Sequence, residues 1–183
     1  MKNRKKNVIG QLIEILVTFI ILGGIMFIGA GRIDWIEGWA FIIIYLLISI
    51  IGSIWLLIND PQLLHERRQA ILKSNVKAWD KVILFSNLIL TLAFFFIIGI
   101  DSGKMQISNI PFIIRIFGGV IVLLSFGITL WASSVNTYMS ALVRIQEERG
   151  HKTITNGPYH FIRHPMYAAM CLLYIGIPLL IRE

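Results

Sequence analysis

The stretch Thr155-Asn156-Gly157-Pro158-Tyr159-His160-Phe161-Ile162-Arg163-His164-Pro165-Met166-Tyr167 concentrates imidazole, phenol and guanidinium groups in a chain otherwise rich in Ile, Leu, Phe and Gly. Pro158 fixes its own φ and keeps Gly157 out of the right-handed helical region, and Pro165 does the same to His164. Tyr159 to Arg163 is thus bracketed by two rigid breaks, the second at a position where proline is tolerated in a first helical turn. Backbone N–H groups at such a helix start favour a ligand with an anionic portion. His151, His160 and His164 are three potential metal ligands, but no cysteine lies near them and the bend does not fix them on one face, so no metal site is assigned. Cys171, the only cysteine, falls inside the last apolar run, where it is expected as a small buried residue. No serine stands beside a histidine, which disfavours a serine or cysteine nucleophile.

The elements that must position this stretch are membrane spans. Hydrophobic residues make up 56% of the 183, above the roughly 45–50% of soluble domains. The apolar runs are long and continuous, which excludes the alternating strands of a membrane barrel. An all-α, polytopic integral membrane protein with about five transmembrane helices is predicted, as one transmembrane domain. The spans are Val8–Ala30, Gly38–Ile58, Val82–Ile100, roughly Ile116–Tyr138, and the shorter Met166–Ile181 with Pro178 inside it. The first run is too long for a cleaved signal peptide.

Basic residues fall on alternate loops: Lys2 to Lys6, then Arg67 to Lys81, then Arg144 to Arg163. The positive-inside rule therefore predicts a cytoplasmic N-terminus and cytoplasmic second and fourth loops. The net charge of +7 reads as topology and contact with anionic lipid heads, with no nucleic-acid partner. Residues 140–167 form a long inner loop, where function is expected to reside.

Two other segments bear on that loop. Asn59 or Asp60 can cap a helix whose first turn takes Pro61. That helix serves either to anchor the chain at the interface or to bring His65, Glu66 or Arg67 to the site. Ser133, Ser134, Asn136, Thr137 and Ser140 interrupt the end of the fourth span, as helix–helix glue or as pocket lining. Arg144, Gln146, Glu147, Glu148 and Arg149 read as a solvated helix beyond it.

The run His151–Tyr159, followed by Arg163-His164-Pro165-Met166-Tyr167, resembles the signature of isoprenylcysteine carboxyl methyltransferases and their bacterial relatives, with a looser version in phospholipid methyltransferases. Weaker matches lie upstream in Arg32-x-Asp34-Trp35-x-x-Gly38-Trp39, in Asp60-Pro61-x-Leu63-Leu64-x-Glu66-Arg67 with Trp79-Asp80, and in Asn136 with Arg144. The resemblance implies S-adenosylmethionine as cofactor. It implies cofactor-binding roles for His151, Lys152, Thr153, Ile154, Tyr159, His164, Pro165, Met166 and Tyr167, and catalytic roles for Arg163 and His164. Arg163 would either pair with a substrate carboxylate or anchor the loop to lipid phosphate. The implied acceptor is the carboxylate, or an amine, of a lipid-like or isoprenoid substrate, and the implied location is a bacterial inner membrane with the site facing the cytoplasm.

Two departures from the family pattern stand out. Ala169 replaces a usual glycine. A C-terminal cytoplasmic arm, which follows a turn after the fifth span in that family, is expected to be missing, the turn falling about at Glu183, just past Pro178. Sterol-type membrane reductases, which bind a nicotinamide cofactor, share an Arg-His-Pro-x-Tyr element and give one competing reading. A truncated, non-catalytic relative gives another.

Overall fold

The computed structural model describes residues 2–69, 78–105, 110–139, 150 and 152–181. Helix α1 runs Lys2–Ala30, α2 Ile36–Asn59, α3 Pro61–Gln69, α4 Ala78–Gly99, α5 Phe112–Val135 and α6 Pro165–Ile181. No strand occurs among these residues. Four stretches, Ile9–Ala30, Ile36–Asn59, Ala78–Met105 and Phe112–Val135, are long and apolar enough to cross a bilayer, and Pro165–Ile181 is a shorter apolar helix. Their large Ile, Leu, Val and Phe side chains are mostly exposed. In lipid such an outer surface needs no cover, because the hydrocarbon solvates it. The chain is an all-helical, integral membrane protein.

Helices associate where small residues let backbones approach. At the α1–α4 crossing, a Cβ on Gly29 would meet the Phe96 carbonyl, one on Gly99 the Met26 carbonyl, and one on Gly103 would meet Ala30. The most extensive pairing joins α5 to α6. There, a Cβ on Gly118 would sit 2.7 Å from the Leu180 nitrogen, and one on Gly176 would sit 3.0 Å from the Gly118 carbonyl oxygen. Ser125 Oγ donates to the Ala169 carbonyl across this interface at 2.7 Å. Ala169 is fully packed there; the methyl in place of the expected glycine fits because it lies within this helix pair. Met26, Phe41, Phe95, Val122 and Ile177 belong to the central core.

The outer-loop motif is a packing device. Trp35 is entirely buried and stacks closely against Gly38, whose Cβ would lie 2.6 Å from the indole. Trp39 Nε1 donates to the Ile33 carbonyl at 2.8 Å, and its ring rests on Phe27 with centroids 4.7 Å apart. Those residues turn the chain from α1 into α2.

Three boundaries differ from expectation. The third apolar helix does not give way to a loop at Asp101; it continues as a π-helical turn over Ile100–Met105. The packing of Gly99 and Gly103 against α1 holds that turn in register, and π turns of this kind occur where a helix must adjust locally. The fourth span starts earlier, at Phe112 after Pro111, and ends at Val135 rather than Tyr138. It stops because Asn136 leaves the helical region and its side chain bonds locally, Oδ1 accepting from the Tyr138 N–H at 3.0 Å. Pro178 sits within α6, which continues to Ile181, and the turn expected about Glu183 lies outside the described residues. Cys171 is exposed on the apolar surface of α6 rather than buried, since α5 covers the face that carries Ala169 and Gly176 instead.

Candidate functional site

The start of α1 and the end of α2 meet through Gln11 and Ser53, and the end of α5 lies beside the start of α6. Helix α3 caps this same end of the bundle. Asp60 Oδ1 accepts from the Leu63 N–H at 2.9 Å, a cap on the first turn that Pro61 enters. Leu63 and Leu64 are then buried against Leu56 and Met139. The apolar side of α3 is therefore an anchor, as one reading of the sequence held, while Arg67 on the same helix reaches inward. The side chains of His65 and Glu66 lie outside the described residues.

The polar turn is short and tightly wound. Residues 152–155 arrive without regular secondary structure, Gly157–His160 make one 3-10 turn, and Pro165 opens α6. Gly157 has φ +58°, left-handed backbone that glycine enters without steric cost. Its Cα also nests against α5, since a Cβ there would stand 3.0 Å from Val135 Cγ1 and 3.3 Å from Trp131 Nε1. The Pro158 carbonyl accepts from the N–H groups of Phe161 and Ile162, and the His164 carbonyl from those of Tyr167 and Ala168. Pro158 and Pro165 are buried, so both rigid breaks serve as packed anchors.

Tyr159 is the link between turn and helix end. Asn136 Nδ2 donates to Tyr159 Oη at 2.8 Å, and that hydroxyl leans on Met139 Sδ at 3.9 Å. Nearby, Tyr138 Oη donates to the Gly150 carbonyl at 3.1 Å. Arg67 approaches from the other side, with Nε donating to the Met139 carbonyl at 3.4 Å and Nη2 to Ser133 Oγ at 3.3 Å. Burial pulls the Arg67 guanidinium below its ordinary pKa, while the nearby Asp60 and Tyr159 act in the opposite direction. Asn136 thus bonds to the motif itself, and it also ties down the turn that follows α5.

The sequence-selected residues divide into two groups. His164 and Tyr167 lie together on the open surface, ring centroids 5.5 Å apart, with Tyr167 64% exposed. Lys152, Thr153 and Arg163 are also exposed, and Ile154 and Met166 are half-buried. Tyr159 instead faces the end of α5, through its bond with Asn136. His151 and the Arg144–Arg149 segment lie outside the described residues. No cluster of metal-ligating side chains occurs among the described residues.

Alternation of faces on α5 explains a feature that sequence reasoning missed. Phe126, Thr129, Leu130 and Ser133 recur at three- and four-residue spacing and line a cavity of about 400 Å³ between α1, α2, α3 and α5. Trp131 and Val135 fall on the opposite side of the helix and carry Gly157. Gln11 and Glu14, polar residues near the start of the first span, open onto this cavity along with Arg67. Their spacing of three on a helix was the available signal.

These features define a membrane-embedded helical protein whose last two long helices clamp a polar turn at one end of the bundle. A family model described as phospholipid methyltransferase matches residues 113–183, which take in α5, the turn and α6. The match falls on the part of the chain that holds the motif, and the family it describes is one of those the motif resembles. The match and the apolar helices together point to a membrane methyltransferase. No curated protein and no solved structure gives a significant match.

Proposed function

We propose that the protein is an S-adenosylmethionine-dependent methyltransferase acting on the carboxylate, or an amine, of a lipid-like or isoprenoid acceptor. The observation that carries this reading is the match to a methyltransferase family across α5, the polar turn and α6. The donor set fits the cofactor: His164 and Tyr167 form an exposed aromatic pair at the start of α6. Aromatic faces attract a cationic centre through the ring quadrupole. When bound, S-adenosylmethionine supplies a methyl group already activated on a positively charged sulfur.

The chain's own residues then have mainly to orient and shield. Lys152, Thr153 and Ile154, with His151, would offer backbone and side-chain groups to the polar parts of the cofactor. Tyr159, bonded to Asn136, fixes the turn against α5. Pro165 and Met166 set the first turn of α6, so that His164 and Tyr167 project from a rigid helix start. Arg163, exposed beside them, is placed to pair with an acceptor carboxylate. Positioning of this kind supports in-line transfer more than proton movement does. The alternation of Lys and Arg along the loops supports a cytoplasmic face for the site, and the resemblance to bacterial relatives supports a bacterial inner membrane as the setting.

Isothermal titration of the detergent-purified protein with S-adenosylhomocysteine tests the reading. Saturable heat is expected, reduced by about tenfold or more in affinity in His164→Ala, since a ring contact and its neighbour's support are both lost. Heat with NADPH in its place, or with neither, would refute it.

A further inference from the structure

Helix α4 is held by its C-terminal half. From Thr91 onward it meets its neighbours: Thr91 Oγ1 and Tyr174 Oη lie 2.9 Å apart, the Phe94 and Tyr174 rings meet edge to face at 4.8 Å, and Gly99 packs on Met26. Before Thr91 the helix stands clear. Val82, Ile83, Phe85, Leu88, Ile89 and Leu90 are all exposed, and Leu84 alone in that stretch is half-buried. Apolar exposure of this kind needs no cover, because hydrocarbon solvates it. Ser86 and Asn87, in the same stretch, pose a different problem.

Both are exposed, and neither side chain has a hydrogen bond among the described residues. The Thr91 hydroxyl returns to the Asn87 backbone carbonyl at 2.8 Å, and the Thr129 and Ser133 hydroxyls do the same along α5. The Asn87 carboxamide, with two N–H donors and an acceptor oxygen, has no such outlet. At roughly 1.5 Å per residue, Asn87 lies about 7 Å from the middle of the Ala78–Met105 span. That depth is inside a hydrocarbon core about 30 Å thick. Lipid chains offer an amide nothing there, and polar groups at such depth are ordinarily matched by another helix. Elsewhere in the spans Gln11 reaches Ser53, Ser125 reaches the Ala169 carbonyl, and Tyr174 reaches Thr91.

The surroundings of Asn87 select its partner. Ile83, Leu90 and Ile97 recur every seven residues and are each more than half exposed. They form one ridge along α4, with Ser86 and Asn87 on its two sides between Ile83 and Leu90. A ridge of that period is the seam of a left-handed helix pair. Two copies of one membrane chain insert with the same orientation, so a two-fold axis relating them runs along the membrane normal. Each residue near that axis then meets its own counterpart at its own depth. A carboxamide suits such a meeting, because it both gives an N–H and accepts one. We propose that α4 pairs with α4 of a second copy, the Asn87 carboxamide bonding to the same residue and to the Ser86 hydroxyl across a seam of Ile83, Leu90 and Ile97. A helix of another protein would have to bring its own polar group to that depth, whereas symmetry supplies one from this chain. The pairing stands independently of the methyltransferase reading.

The test uses the full chain in lipid bilayers. Energy transfer between copies labelled at the N-terminus with donor or acceptor dyes, followed as added lipid dilutes the protein, gives the dissociation constant of the pair. The parent is expected to dimerise, and Asn87→Leu to raise that constant about tenfold through loss of the interhelical hydrogen bonds. Asn87→Gln keeps an amide and is expected to retain most of the affinity. Leucine on a lipid-facing stretch of a membrane helix leaves the monomer fold undisturbed, so Asn87→Leu reports on pairing rather than on folding. Oxidative crosslinking locates the face. In a Cys171→Ser background, which removes the only native thiol, Leu90→Cys is expected to give a disulfide-linked dimer. Leu123→Cys, comparably exposed on α5, is expected to give none. A parent that stays monomeric at high protein-to-lipid ratio, a dimer that Asn87→Leu leaves unchanged, or crosslinking as efficient through Leu123→Cys as through Leu90→Cys would each overturn the proposal.

Discussion

Replacing Gly157 by alanine tests how far the polar turn depends on its seat against α5. Two costs arise. An L-residue held at φ +58° is less stable than in right-handed backbone by about 1–2 kcal/mol. The new methyl would also stand 3.0 and 3.1 Å from the two Val135 methyls, and a valine in a helix has essentially one side-chain rotamer with which to yield. Overpacking of this kind costs about 1–3 kcal/mol. Against these, alanine restricts the unfolded chain and recovers about 0.4–1 kcal/mol. A net loss of about 2 kcal/mol follows, roughly thirtyfold in the equilibrium that docks the turn. Hydrogen–deuterium exchange of residues 158–162 should report it directly, with S-adenosylhomocysteine affinity falling in parallel. The double variant Gly157→Ala with Val135→Ala removes the contact but leaves the backbone conformation, so it should recover part of the loss and no more. Gly127→Ala is the control, since nothing lies within 4 Å of a Cβ there. Exchange and affinity that match the parent in Gly157→Ala would refute the claim that the turn is held by close backbone approach.

Asn136→Ala removes the donor to Tyr159 and the acceptor for the Tyr138 N–H; a local loss of about 1–3 kcal/mol is expected, seen as faster exchange at 138–139 and 159–162 with little change in helix content by circular dichroism. Gly118→Val places side-chain atoms against the Leu179 and Leu180 backbone, where even a Cβ would sit 2.7 to 2.8 Å away; the α5–α6 pair should be destabilised by about 2 kcal/mol or more, read as a lowered unfolding midpoint in detergent.

The membrane spans were legible because a run of apolar residues long enough for a bilayer has few other uses, and the ends of α1 and α2 fall where the sequence placed them. What escaped was local. Gly99 and Gly103 are unremarkable in an apolar run until Met26 and Ala30 are set beside them, and only then does a π turn at Ile100–Met105 have a cause. The motif was legible as a stretch bracketed by prolines, and Pro158 and Pro165 do anchor it. The direction of Tyr159 was not legible, because it depends on Asn136, 23 residues earlier in the chain. Cys171 was misplaced for a similar reason: composition says that a residue lies in a span, while only the partner helix says which face meets lipid.

The end of α5 does two things at once, and its sequence shows why it can. Thr129, Leu130 and Ser133 face the cavity, whereas Trp131 and Val135 face the turn, so a helix of ordinary pitch presents separate chemistry to each side. The helix then stops at Asn136, whose carboxamide has both a donor and an acceptor to use. Each is engaged, Oδ1 on the chain that follows and Nδ2 on Tyr159. An aspartate there would keep the first bond and lose the donor of the second, while a serine would be too short to span to the tyrosine hydroxyl from the same backbone. Amide chemistry at this position therefore couples where α5 ends to where the polar turn sits. Arg67 meets the same junction through the Met139 carbonyl.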